Sequence, residues 1–251
     1  MDIYNFYNKF GWKKNNKINS FDAELFEDLR KTSADYVSKC RHRINNFIPK
    51  KGVNILDFAS GPIQYKEYLN YSKNFKKRHC VDFSKIAIKE AKKKIGKNGK
   101  FYCKDFLKIK FKKNYFDTII SLHTIYHVKK NKQKDVINKL IDITKKGQPI
   151  IIVYSNPNTF LSRFKKYFKK TYSKQKIYFY CHPLNWWFQF EKKAQIKFYP
   201  WRSFSSQHQK IFFPGNIIGK MMLHILFSFE KKFPNFFVRN FQYPIIVLRK
   251  K

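Results

Sequence analysis

The feature that most constrains the fold of this chain is a regular alternation of short apolar runs with helix-like segments. The runs are VNILDFA (53–59), KRHCVDF (77–83), KFYCKDF (100–106), FDTIISL (116–122) and PIIIVYS (149–155). A helix is predicted to start near Ser84, and another spans about 133–145 before Gly147 and Pro149 stop it. Ahead of the first run, 20–48 reads as one helix: Ser20 caps it, acids fill its first turn, and Phe21, Leu25, Leu29 and Val37 recur along it. Continuous apolar strands separated by helices predict a parallel sheet covered on both faces. After Ser155 the pattern changes. Residues 156–194 are rich in Phe, Tyr, Trp and Lys without a clear period. QIKFYPW (195–201) and YPIIVLRKK (243–251) then read as strands on either side of a helix at 215–233, which brings the sheet to seven. Pro244 suits an edge strand or the first residues of a strand.

In an open parallel sheet, ligands bind beyond the carboxyl ends of the strands. Three acids fall there: Asp57, Asp82 and Asp105. A single such Asp is often a helix cap or turn former, but three on consecutive strands of a lysine-dominated chain point to a site. The loop after the first strand, Asp57-Phe-Ala-Ser-Gly61-Pro-Ile-Gln-Tyr65, holds too little glycine to cradle a phosphate. The dinucleotide pattern G-x-G-x-x-G and the P-loop G-x-x-x-x-G-K-[ST] are both absent. An acid at that strand end would repel a pyrophosphate and suits a ligand carrying an amino group or positive charge.

VNILDFASGPIQY resembles motif I of the class I S-adenosylmethionine-dependent methyltransferases, D-x-G-x-G-x-G, with Ala59, Gly61 and Ile63 at the three glycine positions. The other elements of that family follow in order. Asp82 resembles the acid that accepts hydrogen bonds from both ribose hydroxyls, and Phe83 beside it would pack on the adenine. KDF (104–106) resembles the element whose acid, here Asp105, receives the adenine amino group, with Phe106 against the ring. FDTIISLHTIYHV (116–128) resembles the fourth-strand motif, which assigns Ser121 to the border of the methionine moiety and the substrate. The resemblance covers about 50–155 and, more loosely, the closing strands. It implies an α/β Rossmann-like domain with four parts: a helical cap (1–50), a cofactor-binding core (51–155), an aromatic substrate lid (156–194) and closing strands with a helix (195–251). It implies S-adenosylmethionine as cofactor, contacted by Asp57, Ala59, Gly61, Asp82, Phe83, Asp105, Phe106 and Ser121. It also places Tyr4, Phe6, Tyr7 and Trp12 in the variable cap of this family, where Tyr7 or Trp12 would close over the cofactor.

Methyl transfer is an in-line displacement at carbon, so such a protein supplies mainly alignment, plus proton removal where the acceptor needs it. Three residues after the fourth strand qualify as a base: His127, His123 and Tyr126. The i, i+4 spacing of the histidines lacks the glutamate and third ligand of a zinc site, and no metal is expected.

The acceptor is less legible. The [DNS]-P-P-[YFW] motif of base amino-methyltransferases is missing; SLHT stands in its place. A small-molecule or metabolic-intermediate acceptor leads. RNA is the alternative, through lysines and aromatics of the lid, and a non-catalytic cofactor-binding protein is the third reading. The net charge of +38, from 54 basic and 16 acidic residues, favours loose contact with polyanions or anionic lipid. Yet only 8 of the basic residues are arginine, a profile that looks like AT-rich coding bias. Trp186 and Trp187 are expected in a helix after Pro183, in the core. The segment 215–233 is amphipathic, with burial against the sheet as the default and peripheral membrane contact as the alternative. The four scattered cysteines argue against a disulfide framework and fit a reducing compartment. No signal peptide or membrane span is expected, so the location read from the sequence is cytoplasmic. Oligomeric state is not legible.

Overall fold

The structure, a computed structural model, describes residues 3–14, 20–163 and 177–251. Its strands are β1 (Gly52–Phe58), β2 (Phe75–Asp82), β3 (Gly99–Cys103), β4 (Thr118–Leu122), β5 (Pro149–Val153), β6 (Ala194–Arg202) and β7 (Tyr243–Lys250). They form one sheet in the order β3-β2-β1-β4-β5-β7-β6. All neighbours from β3 to β5 pair parallel, and β7 runs antiparallel to both β5 and β6. The expected mostly parallel seven-stranded sheet is present. Strand order reverses between β1 and β4, and this switch point opens a crevice at their carboxyl ends. Pro244 sits at the start of β7, an interior strand, so of its two expected positions it takes the strand start.

The strands bury both faces. Leu56, Ile119, Ile150 and Ile152 face one core, shared with Val136, Ile137 and Leu140 of a helix at Lys130–Ile143. Ile55, Ile120, Ile151 and Val153 face the other, closed by Tyr36, Val37, Trp201 and Leu223. β5 is buried at every residue, as its unbroken apolar run requires.

The helices are α1 (Ile3–Phe6), α2 (Phe21–Phe26), α3 (Lys31–His42), α4 (Lys66–Asn70), α5 (Lys85–Ile95), α6 (Lys130–Ile143), α7 (Phe160–Arg163), α8 (Ser206–Phe212), α9 (Ile217–Lys232) and α10 (Pro234–Asn240). α5 shows how local sequence sets their limits. Ser84 Oγ accepts the Ala87 N–H at its start, three lysines occupy its last turn, and Gly96 at φ +62° ends it.

The expected single helix over 20–48 is instead two, α2 and α3. Glu27 is extended, and the Asp28 carboxylate takes the Arg30 N–H, the Arg30 guanidinium and the Ser33 hydroxyl. An Asp that satisfies its own downstream backbone competes with helix continuation. Leu25 and Leu29, expected on the buried stripe, are consequently exposed. In the aromatic segment, part of the expected lid (164–176) lies outside the described residues. Leu184–Phe190 forms a short 3-10 helix with Trp187 fully buried, while Trp186 is half-buried and stacks on His182 with ring centroids 4.2 Å apart.

Candidate active site

The loop after β1 keeps a glycine geometry without the glycines. Ala59, Gly61 and Ile63 all have positive φ, at +54°, +56° and +51°. For an L-residue this region costs roughly 1–2 kcal/mol, and for β-branched Ile63 it is a genuine outlier. Three alternate left-handed residues turn the chain sharply, and Asp82 holds the turn: its Oδ2 accepts the Gly61 N–H at 3.0 Å and its Oδ1 accepts the Ser84 N–H at 2.8 Å. Asp82 is buried, and burial lifts its carboxyl to about 6 against the pull of those backbone bonds. Each carboxylate oxygen retains a lone pair, so the group can accept two further hydroxyl bonds.

Asp57, by contrast, is committed within the sheet. Its carboxylate forms a buried ion pair with Arg78, whose guanidinium also donates to the Tyr68 carbonyl. Phe83 meets the N-terminal segment, its ring 5.6 Å from Tyr4 and 6.4 Å from Tyr7. Asp105 is exposed at the end of β3, where one carboxylate oxygen accepts the Leu107 N–H. Phe106 is buried against Phe58 at 4.5 Å, and Lys139 anchors that turn by donating to the carbonyls of Phe106, Leu107 and Ile109.

The N-terminal segment closes this side. Trp12 lies directly over Gly61: a Cβ added there would meet the indole ring at 3.2 Å. Tyr7 stacks on Trp12 at 4.8 Å and donates its hydroxyl to Asp22. Burial raises the Asp22 carboxyl to about 7. The sequence suggested Tyr7 and Trp12 through the resemblance; Asp22 has no motif and could be found only from the fold.

The end of β4 supplies the remaining groups. Ser121 is buried on the β4 face that carries Ile119, and its Oγ has no hydrogen-bond partner. His123 adopts φ +58°; its Nδ1 and the Tyr126 hydroxyl share a hydrogen bond at 2.9 Å, and its Nε2 is buried and unpartnered. Burial, then the nearby Arg202, keeps His123 well below the usual imidazole range. His127 Nδ1 lies 2.8 Å from the Tyr178 carbonyl, which can only accept, so Nδ1 carries the proton and Nε2 keeps its lone pair. Burial pushes His127 down to about 4, so it is neutral at pH 7. It lines a cleft of about 660 Å³ with Lys130, Lys134, Tyr178, His182 and Trp186. Beyond His123 stand Trp201 and Tyr243, which pack on its ring, and the buried Arg202, which pairs with Glu27 at 2.9 Å. None of these three was singled out from sequence, since the fold alone brings the ends of β6 and β7 beside β4.

The residues present fit S-adenosylmethionine. The loop after β1 supplies a tight left-handed turn held by a buried carboxylate with free lone pairs; Trp12, whose Nε1 is buried and unpartnered, lies over it, and the end of β4 adds the unpartnered buried polar atoms Ser121 Oγ and His123 Nε2. Among the described residues, no group of three or more His, Cys, Asp or Glu is arranged to hold a metal.

Comparison with known proteins agrees. Residues 56–152 match the methyltransferase domain family. No curated protein sequence is significantly similar to the chain. Among solved structures, it is similar to a SAM-dependent methyltransferase from Archaeoglobus fulgidus, with TM-score 0.56 and 19% identity, over 86% of this chain and 94% of that one. A phosphoethanolamine N-methyltransferase 2 from Haemonchus contortus in complex with S-adenosyl-L-methionine gives 0.53 and 16%, over 84% of this chain and 52% of that one. The cyclase SpnF gives 0.54 and 13%, over 96% of this chain and 86% of that one. The domain match lies on the very strands and loops that build the crevice, so residues 56–152 carry a methyltransferase domain, on a fold shared with S-adenosylmethionine-dependent methyltransferases.

Proposed function

We propose that this enzyme transfers a methyl group to a small-molecule acceptor bound between the end of β4 and the N-terminal segment. The observation that carries this reading is enclosure. Tyr126 is buried, its ring packs on Phe179 at 4.7 Å, and its carbonyl accepts the Tyr180 N–H. With Trp12 over Gly61 on the other side, such a site suits a compact acceptor better than a polymer.

The loop 59–63, Asp82, Phe83, Asp105, Phe106 and Ser121 would hold the cofactor, with the Arg78-bound Asp57 fixing the strand end from which the loop departs. The cofactor, when bound, supplies an activated methyl group. The chain's part is alignment and proton handling. His127 has its tautomer fixed by Tyr178 and offers Nε2 to an acceptor proton; His123 and Tyr126 orient the acceptor through their shared hydrogen bond. The low basicity of His127 suits proton acceptance late in the transfer, when the acceptor atom has become acidic. We place the cap at 1–50 and the lid at 156–194 as the segments that shut the site.

A second reading, methylation of RNA, is favoured by one observation: the cleft beside His127 is lined by lysines and by the Trp186–His182 stack. Incubation with methyl-labelled cofactor and a cell extract separates the two. Label in low-mass products, insensitive to ribonuclease, supports the small-molecule acceptor. Label that ribonuclease releases from a polymer overturns it in favour of RNA.

A further inference from the structure

We infer that the helices inserted between β6 and β7 form a docking face for an anionic lipid bilayer. α9 is apolar on two sides. Gly219, Leu223, Leu226, Phe227 and Glu230 turn inward toward α3 and the sheet. The opposite stripe, at the same helical spacing, faces outward: Ile217 is 66% exposed, Met221 59%, Ile225 54% and Phe229 48%. The expected burial of this segment against the sheet therefore accounts for only one of its faces. Ile211 on α8 and Phe236 on α10 are also exposed, at 73% and 57%. Scattered surface hydrophobes need no explanation, but a contiguous apolar stripe along one helix marks an interaction surface.

The charge around the stripe selects the occupant. Residues 206–240 contain one acid, Glu230, and it is buried in contact with Tyr36, Arg43 and Ser203. The bases of the same segment, Lys210, Lys220, Lys231, Lys232 and Arg239, are all exposed. An exposed acid of α3, Asp35, reaches the flank of α9, but it is tied to Lys39 and His224. An apolar stripe on a segment whose exposed charges are all cationic is the pattern of a helix lying in a membrane interface, where lysine stems pass along the apolar surface and their ammonium groups reach the phosphates. A second copy of this chain fits worse, since two such cation-bearing faces on molecules of net charge +38 repel. No helix among the described residues is long and apolar enough to cross a membrane, so the contact would be peripheral.

Flotation of the intact protein with vesicles tests this, using phosphatidylcholine alone and phosphatidylcholine mixed with phosphatidylglycerol. The wild type should float with the mixed vesicles and much less with the neutral ones. A variant carrying Ile217→Ser, Met221→Ser, Ile225→Ser and Phe229→Ser should lose at least about tenfold in partitioning. Its S-adenosylmethionine affinity and thermal unfolding report that it remains folded. In the otherwise native chain, fluorescence of an Ile225→Trp substitution should be quenched by brominated acyl chains. Any of three results overturns the proposal: no flotation, flotation undiminished by the serine variant without quenching, or a solution dimer that the same substitutions disperse.

Discussion

The loop after β1 and the helices between β6 and β7 each carry an energetic cost, of opposite kinds. The loop holds Ala59 and Ile63 in a backbone conformation that neither residue favours, while keeping Ile63 itself in the core. The helices have ordinary backbone and cap geometry, with Asn216 accepting the Gly219 N–H at the start of α9, but leave apolar side chains in water. Strain concentrated where strand order reverses is explained by a ligand that needs that backbone shape. Apolar exposure on the outward face of α9 is explained by a surface that covers it. Non-glycine residues can preserve a functional turn, so the absence of glycine from a motif is weak evidence against its function.

Several substitutions sharpen this contrast. The largest effect is expected for Gly61→Val, which adds a branched side chain at φ +56° and drives it into Trp12. Thermal unfolding should show a loss of about 2–3 kcal/mol, with cofactor binding abolished; near-wild-type stability and affinity would break the account of the loop. Trp12→Ala should weaken the cofactor by about tenfold in calorimetry, since the ring covers Gly61 and stacks with Tyr7. Tighter binding would show instead that the indole occupies the cofactor's own place.

The pH dependence should follow Asp82 rather than a histidine. Burial raises the Asp82 carboxyl to about 6, so its hydrogen-bond-accepting anionic form is present above that value and is lost as pH falls through it. Cofactor affinity should therefore drop below about pH 6, toward tenfold per pH unit. His127, pushed down to about 4, stays neutral through that window and adds no step of its own. An acid limb that persists in Asp82→Asn would contradict this assignment. Smaller still, Ala59→Gly should stabilise the protein by about 1 kcal/mol by relieving the left-handed strain. The double variant Ile217→Ser, Met221→Ser should change stability by less than about 0.5 kcal/mol, because those side chains contribute nothing to the core.

The sheet was legible because its signal is local. Unbroken runs such as Pro149–Val153 have no stable place other than the middle of a covered sheet, and Ser84 and Gly96 bracket α5 by their own chemistry. The cofactor side was legible because its groups hang on successive strand ends, at spacings the resemblance supplies. The acceptor side was not. Asp22, the adjacent Trp201 and Arg202, and Tyr243 lie far from the site motifs in sequence and reach Tyr7, Glu27 and His123 only through the packing of α2 and of β6 and β7. The break at Glu27–Arg30 was missed because Asp28 outcompetes a helical periodicity that Leu25 and Leu29 imitate without being buried. The outward stripe of α9 reads, in sequence, like any core helix, and only the position of the sheet shows that half of it faces away.

The most direct test of the central claim is calorimetric titration of S-adenosylmethionine, and of its demethylated product, into the wild type and Asp82→Ala. Removing a buried carboxylate that accepts charge-assisted bonds should cost on the order of a hundredfold in affinity. Micromolar binding by the wild type, lost in the variant while the fold persists, is the predicted result. A folded wild type that binds neither compound, or a variant that binds as well as the wild type, would contradict it.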